Sequence, residues 1–267
     1  MSVRHRRSLA IAVVCLLLTA CATSPTGRPQ LQFMPDSQIR AMGLDAYSQI
    51  RETEPTIDAG PQVDYVECVA AAIIPQVPGE YAEDGWEITL FDGEQANAFA
   101  LPGGKMGVYT GLLDIADNQD QLATVIAHEI AHVMANHSNE RMSTEFATVL
   151  GLGVLQAAAS DDPERQRLMA ALGIGAQVGI ILPFSRIHES EADEIGLGLM
   201  ADSGFDPRAS VQLWENMRDA GGDAPPEFLS THPSRDTRIR DLRKAMPTAI
   251  YRYEQATAAG RTPDCVN

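Results

Sequence analysis

Basic residues are scarce in this sequence. The 267 residues include 20 Lys and Arg but 36 Asp and Glu, which gives a formal net charge of −16 at pH 7. Phosphate groups are bound mainly through Lys and Arg, so this deficit argues against nucleic acid as a partner. With 45% hydrophobic and 21% charged residues, the composition is that of a globular chain, neither disordered nor built of many membrane spans.

The sequence also lacks an apolar segment at its N-terminus that is long enough to span a membrane. The apolar stretch Leu9–Leu18 is short of the roughly 20 residues that cross a bilayer, and it follows Arg4, Arg6 and Arg7. A basic segment before a short apolar run is typical of a secretory signal. We therefore assign residues 1–20 to a signal peptide.

The end of this segment resembles a bacterial lipobox, in which small residues precede a cysteine that becomes lipidated. Here Leu18-Thr19-Ala20 precedes Cys21, and Thr23-Ser24-Pro25-Thr26-Gly27 follows it. We expect lipidation at Cys21 and a flexible tether over residues 21–35. Ala22, where an aspartate would signal retention in the inner membrane, implies anchoring at the periplasmic face of the outer membrane. An ordinary secretory signal with an incidental cysteine is the alternative.

Cysteine is rare, with four in the chain. Outside the signal peptide and its lipobox, Cys68 and Cys265 remain. In an oxidising compartment two such cysteines can pair, and a disulfide would join the C-terminal tail to an early helix. Two unpaired thiols are the alternative.

The hydrophobic pattern of residues 36–267 predicts a single, mostly helical α+β domain. Helices are predicted at about 35–51, 62–76, 118–137, 143–159, 167–182, 185–203, 207–219 and 234–245. Strands are predicted at 86–91, 97–101 and 105–109, the last two joined by the turn Pro102-Gly103-Gly104. The apolar segments 143–159 and 167–182 are shorter than ~20 residues and contain Gln156 and Gln177, so we expect core helices, with membrane contact as the alternative.

The segment VIAHEIAHVMANH, residues 125–137, contains three of the six histidines. His128 and His132 are four residues apart, so a helix directs both imidazoles toward one ion. Glu129 projects about 100° from His128 and can take a proton from an attacking water without being a ligand. This is the HExxH arrangement of zinc proteases, and it predicts one Zn²⁺ per chain.

The third ligand must come from elsewhere. A third histidine six residues after the second would occupy position 138, which is Ser138, and Ala135 replaces the glycine that accompanies that pattern. His137 lies about 140° around the helix from His132 and cannot reach the same ion unless the helix breaks. We expect His137 to support the site from outside the ligand set.

The segment SRIHESEADE, residues 185–194, supplies better candidates. Glu189 and Asp193 are four residues apart on a predicted helix, so one carboxylate can bind the ion while the other accepts a hydrogen bond from a ligating histidine. Glu191 lies about 200° around that helix from Glu189, and we expect it to be solvated. The alternative for the whole segment is a solvated acidic face.

These two segments and Ser230-Thr231-His232-Pro233 together resemble the M48 family of zinc metallopeptidases, over about residues 36–245. The resemblance implies a zincin-like fold with a small sheet whose edge strand borders the active-site helix. It also implies that Glu189, in a Glu-x-x-Ala-Asp motif, is the third zinc ligand and that Asp193 hydrogen-bonds a ligating histidine.

Two further assignments depend on this resemblance. The sequence around Pro102-Gly103-Gly104 resembles the family's edge-strand region, where an extended substrate adds as a strand. An ordinary hairpin is the alternative. The predicted substrate-binding residues are Asn97, Ala98, Phe99, Gly107, Val108 and Tyr109.

The His-Pro segment is the other assignment. His232 would hydrogen-bond the oxyanion of the tetrahedral intermediate, and Arg238, six residues later, would support that region as a further catalytic residue. A plain loop histidine is the alternative for His232. A further hypothesis is that His232 caps the metal until substrate displaces it.

The expected function is zinc-dependent endopeptidase activity in the bacterial periplasm, directed at misfolded or stalled envelope proteins. The expected contacts are these unfolded clients, the membrane through a lipid anchor, and the outer-membrane assembly machinery. The alternative is a chaperone or assembly factor whose zinc domain mainly binds clients.

Overall fold

The structure, a computed structural model, describes residues 21–82, 85–158, 186–220, 228, 232 and 237–266. The signal segment 1–20 and the helix predicted at 167–182 lie outside these residues. Among the helices that are described, none combines the length and apolar character that crossing a membrane requires.

The described part of the chain is mainly helical with a small sheet, which confirms the predicted fold class. The strands are β1 (Cys21–Thr23), β2 (Pro29–Leu31), β3 (Thr56–Ile57), β4 (Glu87–Phe91), β5 (Ala98–Leu101) and β6 (Lys105–Tyr109). The helices are α1 (Asp36–Thr53), α2 (Pro61–Ile73), α3 (Gly79–Ala82), α4 (Thr110–Leu113), α5 (Gln119–Met134), α6 (His137–Ala158), α7 (residues 186–202), α8 (Ala209–Ala220) and α9 (Arg238–Ala258).

The main sheet has the strand order β3-β4-β6-β5. Strand β6 pairs in parallel with β4 and antiparallel with β5, so β6 is an interior strand and β5 is an edge. The edge strand β5 lies against helix α5, as the predicted fold class requires.

Helix α5 is the centre of the core because apolar residues surround it on nearly every side. It begins at Asn118, whose side chain accepts a hydrogen bond of 3.0 Å from the backbone N–H of Gln121. Helices α2 and α8 and strand β5 pack around it. Two polar side chains, His128 and Glu129, are nevertheless only 2% exposed. Burying polar groups among apolar residues is unfavourable unless they have polar partners, so this pair indicates a functional site.

The predicted helix 118–137 is in fact interrupted. Helix α5 ends at Met134, and Asn136 adopts a left-handed backbone conformation with φ of 51° before α6 begins at His137. Asparagine tolerates this conformation better than most residues. The break turns His137 onto a new helix.

The predicted flexible tether over residues 21–35 is wrong for the described structure. Strands β1 and β2 form an antiparallel hairpin, and the side chains of Ser24 and Gln30 are buried. Gln30 Nε2 donates to the carbonyl of Ala135 at 2.6 Å, at the helix break. Proline, glycine and hydroxyl residues suggested a solvated segment, but here they form a tight turn whose polar groups bind buried partners.

Cys68 and Cys265, which are 197 positions apart in sequence, form a disulfide with their Cα atoms 5.8 Å apart. The tail is also attached to the start of α5, because Gln119 Oε1 accepts a hydrogen bond from the backbone N–H of Cys265 at 2.8 Å. The C-terminus is therefore connected both to α2 and to the helix that carries His128.

Cys265→Ser is expected to lower the free energy of unfolding by about 2–4 kcal/mol, because the crosslink restricts a long loop in the unfolded chain. Denaturant titration of the metal-free protein measures the change. Under reducing conditions the variant and the wild type should unfold together. Equal stability without reductant, or equal mobility of the two alkylated, unreduced proteins in electrophoresis, would show that the disulfide does not form.

Candidate metal centre

Three side chains converge where α5 faces α7. The Nε2 atoms of His128 and His132 are 3.1 Å apart, and the carboxylate oxygens of Glu189 lie 3.3 Å from the first and 3.4 Å from the second. A tetrahedral zinc with ligand bonds near 2.0–2.1 Å places its ligand atoms about 3.3 Å from one another. The donor set and its spacing therefore fit a zinc ion.

A glycine allows the two ligand-bearing helices to approach this closely. A Cβ on Gly196 of α7 would lie 3.0 Å from the Cα and the backbone N of His128. Any larger residue would have to separate the two backbones. Gly196 thus determines the distance over which Glu189 reaches across to the histidines.

Charge also favours a cation at this point. Burial lowers the pKa of His128, but the adjacent carboxylates of Asp193 and Glu189 outweigh it and raise that pKa to about 9. Burial would raise the pKa of Glu189, but its hydrogen bonds with His128, His132 and His232 hold it well below its usual range. An ionised carboxylate among imidazoles is a suitable environment for a divalent metal ion.

The two carboxylate oxygens of Glu129 have different surroundings. Its Oε2 accepts a hydrogen bond of 3.2 Å from the backbone N–H of Ala100 on β5. Its Oε1 is buried and accepts no hydrogen bond from any residue that the structure describes, although His232 Nε2 lies 3.4 Å away. One carboxylate oxygen is therefore fixed by the edge strand and the other is free for a reacting proton.

His232 lies in the same cluster. Its Nδ1 is 3.2 Å from Glu189 Oε1, and it can contribute one of four potential ligand atoms that all lie within 4.8 Å of one another. Its ring stacks on Phe228, with the centroids 4.4 Å apart. His232 is thus held beside both Glu129 and the ligand set, the position that either of its predicted roles needs.

Asp193 and Arg238 form a layer behind the ligands. Asp193 Oδ1 lies 3.1 Å from His128 Nδ1, which suits its predicted contact with a ligating histidine. Arg238 donates to Asp193 Oδ2 at 2.6 Å and to Glu189 Oε2 at 2.9 Å, and its guanidinium lies 3.8 Å from the ring centroid of Trp214. Arg238 is buried and holds these two carboxylates from behind, so the support that the sequence predicts for it would act through Asp193 and Glu189.

His137 lies outside the ligand set but contacts it. Its Nδ1 is 2.9 Å from His132 Nδ1, and its ring stacks on His188 with the centroids 4.1 Å apart. Burial is the main reason that the pKa of His137 falls to about 3, so this imidazole is neutral. After the helix break, His137 lies beside His132 rather than within the cluster of four potential ligand residues.

The expectation that Glu191 is solvated is wrong. Glu191 is 5% exposed, and its Oε2 lies 3.1 Å from His137 Nε2 and 2.6 Å from Arg28. Its Oε1 accepts hydrogen bonds from the hydroxyls of Ser24 and Thr26. The side of α7 opposite Glu189 is covered by the N-terminal hairpin rather than by water.

The predicted substrate-binding residues divide into two groups. Gly107, Val108 and Tyr109 lie in β6, whose neighbours β4 and β5 pair with its backbone on both sides, so the β6 backbone is not available to pair with a substrate strand. Asn97, Ala98 and Phe99 lie on or beside the edge strand β5. The carbonyl of Asn97 accepts a hydrogen bond from Tyr109, and the ring of Phe99 packs 5.9 Å from that of Phe91.

Ala100, which the sequence did not single out, is the residue of β5 whose N–H points toward Glu129. The sequence analysis also did not identify Arg28, Glu140 and His188, which are linked by side-chain contacts. The unusual density of histidine and glutamate in residues 137–140 and 188–191 was a signal for the last two. No sequence feature pointed to Arg28, because the residues around it have the composition of a flexible tether.

Comparison with known proteins agrees with this geometry. The profile of Peptidase family M48 matches residues 62–246. The mitochondrial metalloendopeptidase OMA1 of Schizosaccharomyces pombe is 41% identical over 182 residues, which cover 67% of this chain and 50% of that protein.

Two bacterial proteins with the name beta-barrel assembly-enhancing protease are also similar. The protein of Yersinia pestis is 33% identical over 225 residues, covering 79% of this chain and 46% of its own length. The protein of Escherichia coli K12 is 28% identical over 259 residues, covering 90% of this chain and 52% of its own length. The chain thus spans about half the length of each of these relatives.

Proposed function

The chain belongs to peptidase family M48, and we propose that it is a zinc-dependent endopeptidase. The observation that carries the proposal is the enclosure of His128, His132 and Glu189 at mutual distances of 3.1–3.4 Å, next to Glu129, whose Oε1 accepts no hydrogen bond from the described part of the chain. Neither a structural ion pair nor a core histidine needs a free carboxylate oxygen beside such a cluster.

The three ligands would hold Zn²⁺, which supplies Lewis-acid chemistry that activates water and polarises the scissile carbonyl. Glu129 takes the proton from the attacking water on Oε1 and later delivers it to the leaving amine. Its other oxygen stays on the N–H of Ala100, so the carboxylate keeps its orientation through both transfers. Asp193 and Arg238 keep Glu189 and His128 in place.

The substrate would bind as an extended strand along the edge of β5 that pairs with no other described strand and that runs beside Glu129. His232, held by its stacking on Phe228, is placed to donate a hydrogen bond to the oxyanion. Backbone pairing recognises any extended chain, and this suits unfolded proteins as substrates.

We further propose that the chain is lipidated at Cys21, faces the periplasm from the outer membrane, and degrades misfolded or stalled envelope proteins. The lipobox-like sequence and the similarity to bacterial proteins named beta-barrel assembly-enhancing protease support this role. The same name favours a second candidate, in which the zinc domain mainly binds clients and assists the outer-membrane assembly machinery.

The test is cleavage of casein, an unfolded substrate, by the purified chain with and without a chelator. We expect cleavage that the chelator abolishes and that a stoichiometric amount of Zn²⁺ restores. Metal analysis of the active protein should give about one zinc per chain. Cleavage that persists after complete removal of metal would contradict the proposed activity.

A further inference from the structure

Each histidine of the proposed zinc site is backed by a carboxylate, and each of these carboxylates is backed by an arginine. Behind His128 lie Asp193 at 3.1 Å and then Arg238 at 2.6 Å. The support of His132 is longer, because the imidazole of His137 is inserted between His132 and its carboxylate. The arginine that ends this second chain of contacts, Arg28, comes from the N-terminal hairpin.

The inserted imidazole imposes one arrangement of protons. His132 can bind a metal through Nε2 only if its proton is on Nδ1, so His132 Nδ1 must donate to His137 Nδ1 across the 2.9 Å contact. His137 therefore carries its own proton on Nε2 and donates it to Glu191 Oε2 at 3.1 Å. The opposite direction would place a proton on the atom of His132 that faces Glu189.

Glu191 stabilises this arrangement of protons only if its carboxylate is oriented to accept the hydrogen bond from His137 Nε2. Arg28 provides this orientation. The guanidinium donates to Glu191 Oε2 from Nε at 3.0 Å and from Nη2 at 2.6 Å. Its two Nη atoms also reach the two oxygens of Glu140, each at 2.6 Å. A planar fork that bridges two carboxylates in this way fixes both, which a single ammonium group cannot do.

Glu140 fixes the other face of the inserted imidazole. Its Oε2 lies 3.1 Å from His188 Nε2, and His188 stacks on His137 with only 18° between the ring planes. Arg28 thus acts on His137 through two routes, one by hydrogen bond through Glu191 and one by ring stacking through Glu140 and His188. Both routes end at the imidazole of His137, which accepts the hydrogen bond from His132 Nδ1.

We infer that Arg28 is a positioning residue of the metal site, which fixes the tautomer and ring orientation of the ligand His132 through Glu191 and His137. The inference rests on the proposed function, since it assigns His132 as a zinc ligand. A purely structural ion pair would not need the ordered series of contacts that ends on the ring nitrogen of His132 opposite its metal-binding Nε2. The N-terminal hairpin is accordingly a part of the active site rather than a linker to it.

The experiment compares the Zn²⁺ dissociation constants of full-length wild type, Arg28→Met and Arg28→Lys by competition with a chromogenic chelator. Loss of a group that orients a ligand typically weakens metal binding about 10–100-fold, which we expect for Arg28→Met. Arg28→Lys keeps the charge but reaches one carboxylate, so a smaller loss is expected. Arg51→Met is the matched control, because Arg51 pairs with Glu87 on the surface, 2.8 Å away.

A second readout keeps the test valid if Arg28→Met folds poorly. Nitrogen-15 shifts of the imidazole rings in zinc-loaded protein report which ring nitrogen carries the proton. In wild type and Arg51→Met the protons should be on Nδ1 of His132 and Nε2 of His137. In folded Arg28→Lys we expect the His137 shifts to move toward a mixture of the two tautomers.

Unchanged zinc affinity together with unchanged histidine tautomers in a folded Arg28 variant would overturn the role of Arg28 and leave the proposed function intact. A wild-type chain that binds no Zn²⁺ would overturn the proposed function, and the role of Arg28 with it. An equal loss of affinity in Arg51→Met would show that any lost arginine has this effect, and would also overturn the inference.

Discussion

Glu129→Gln is expected to keep its zinc and lose about 10²–10⁴-fold in proteolytic rate. The glutamine oxygen can still accept the hydrogen bond from Ala100, so the edge strand should keep its place beside α5. What the amide cannot do is take a proton on the atom that replaces Oε1. Casein cleavage and zinc content, measured on the same preparation, separate these two effects.

Glu145→Gln is a suitable control, since Glu145 is half exposed on α6 and pairs only loosely with Arg141 at 3.9 Å. It should cleave casein at the wild-type rate. A Glu129→Gln protein that cleaves as fast as wild type would contradict the assignment of the base.

The same variant discriminates the two proposed roles in the cell. If degradation of envelope proteins is the function, Glu129→Gln should fail to support envelope integrity, because the zinc site is intact but inactive. If client binding is the function, the variant should complement loss of the protein. Envelope permeability to a large antibiotic is a direct measurement.

The sequence was sufficient to predict the helix of the site and three of its side chains. The four-residue spacing of His128 and His132 already directs both rings to one face, and Asn118 marks the helix start. These are local properties, set by helical geometry within a single element. The proposed third ligand, Glu189, lies on another helix and was assigned through the resemblance to a family, not through periodicity.

What the sequence did not reveal is the set of contacts made across long separations. Glu191 appeared solvated because acidic runs usually are, and its burial depends on Arg28, 163 positions away. The segment that contains Arg28 appeared to be a tether because its composition is that of a turn-rich, polar chain. Taken alone, the acidic segment is interpreted as solvated and the polar segment as a tether. Only the contact between Glu191 and Arg28 in the folded chain shows that both interpretations are wrong.

The helix break shows the same limit at short range. The apolar pattern continues through Ala135, so periodicity predicted one helix to His137. The left-handed Asn136 follows the end of α5, where Gln30 donates to the carbonyl of Ala135 and the next helix contacts strand β2. A single backbone conformation thereby decides whether His137 faces an ion, solvent or the ring of His132.

Glu189→Gln is expected to weaken zinc binding by more than the roughly 100-fold that follows loss of a group behind a ligand, because it removes charge from the ligand itself. Glu191→Gln should weaken it less, because Glu191 acts on His132 through His137. Glu194→Gln, exposed on the same helix, should leave affinity unchanged. Chelator competition on the three variants gives the order directly. Loss of zinc from Glu191→Gln with retention by Glu189→Gln would place the ligand two residues later and contradict the site described here.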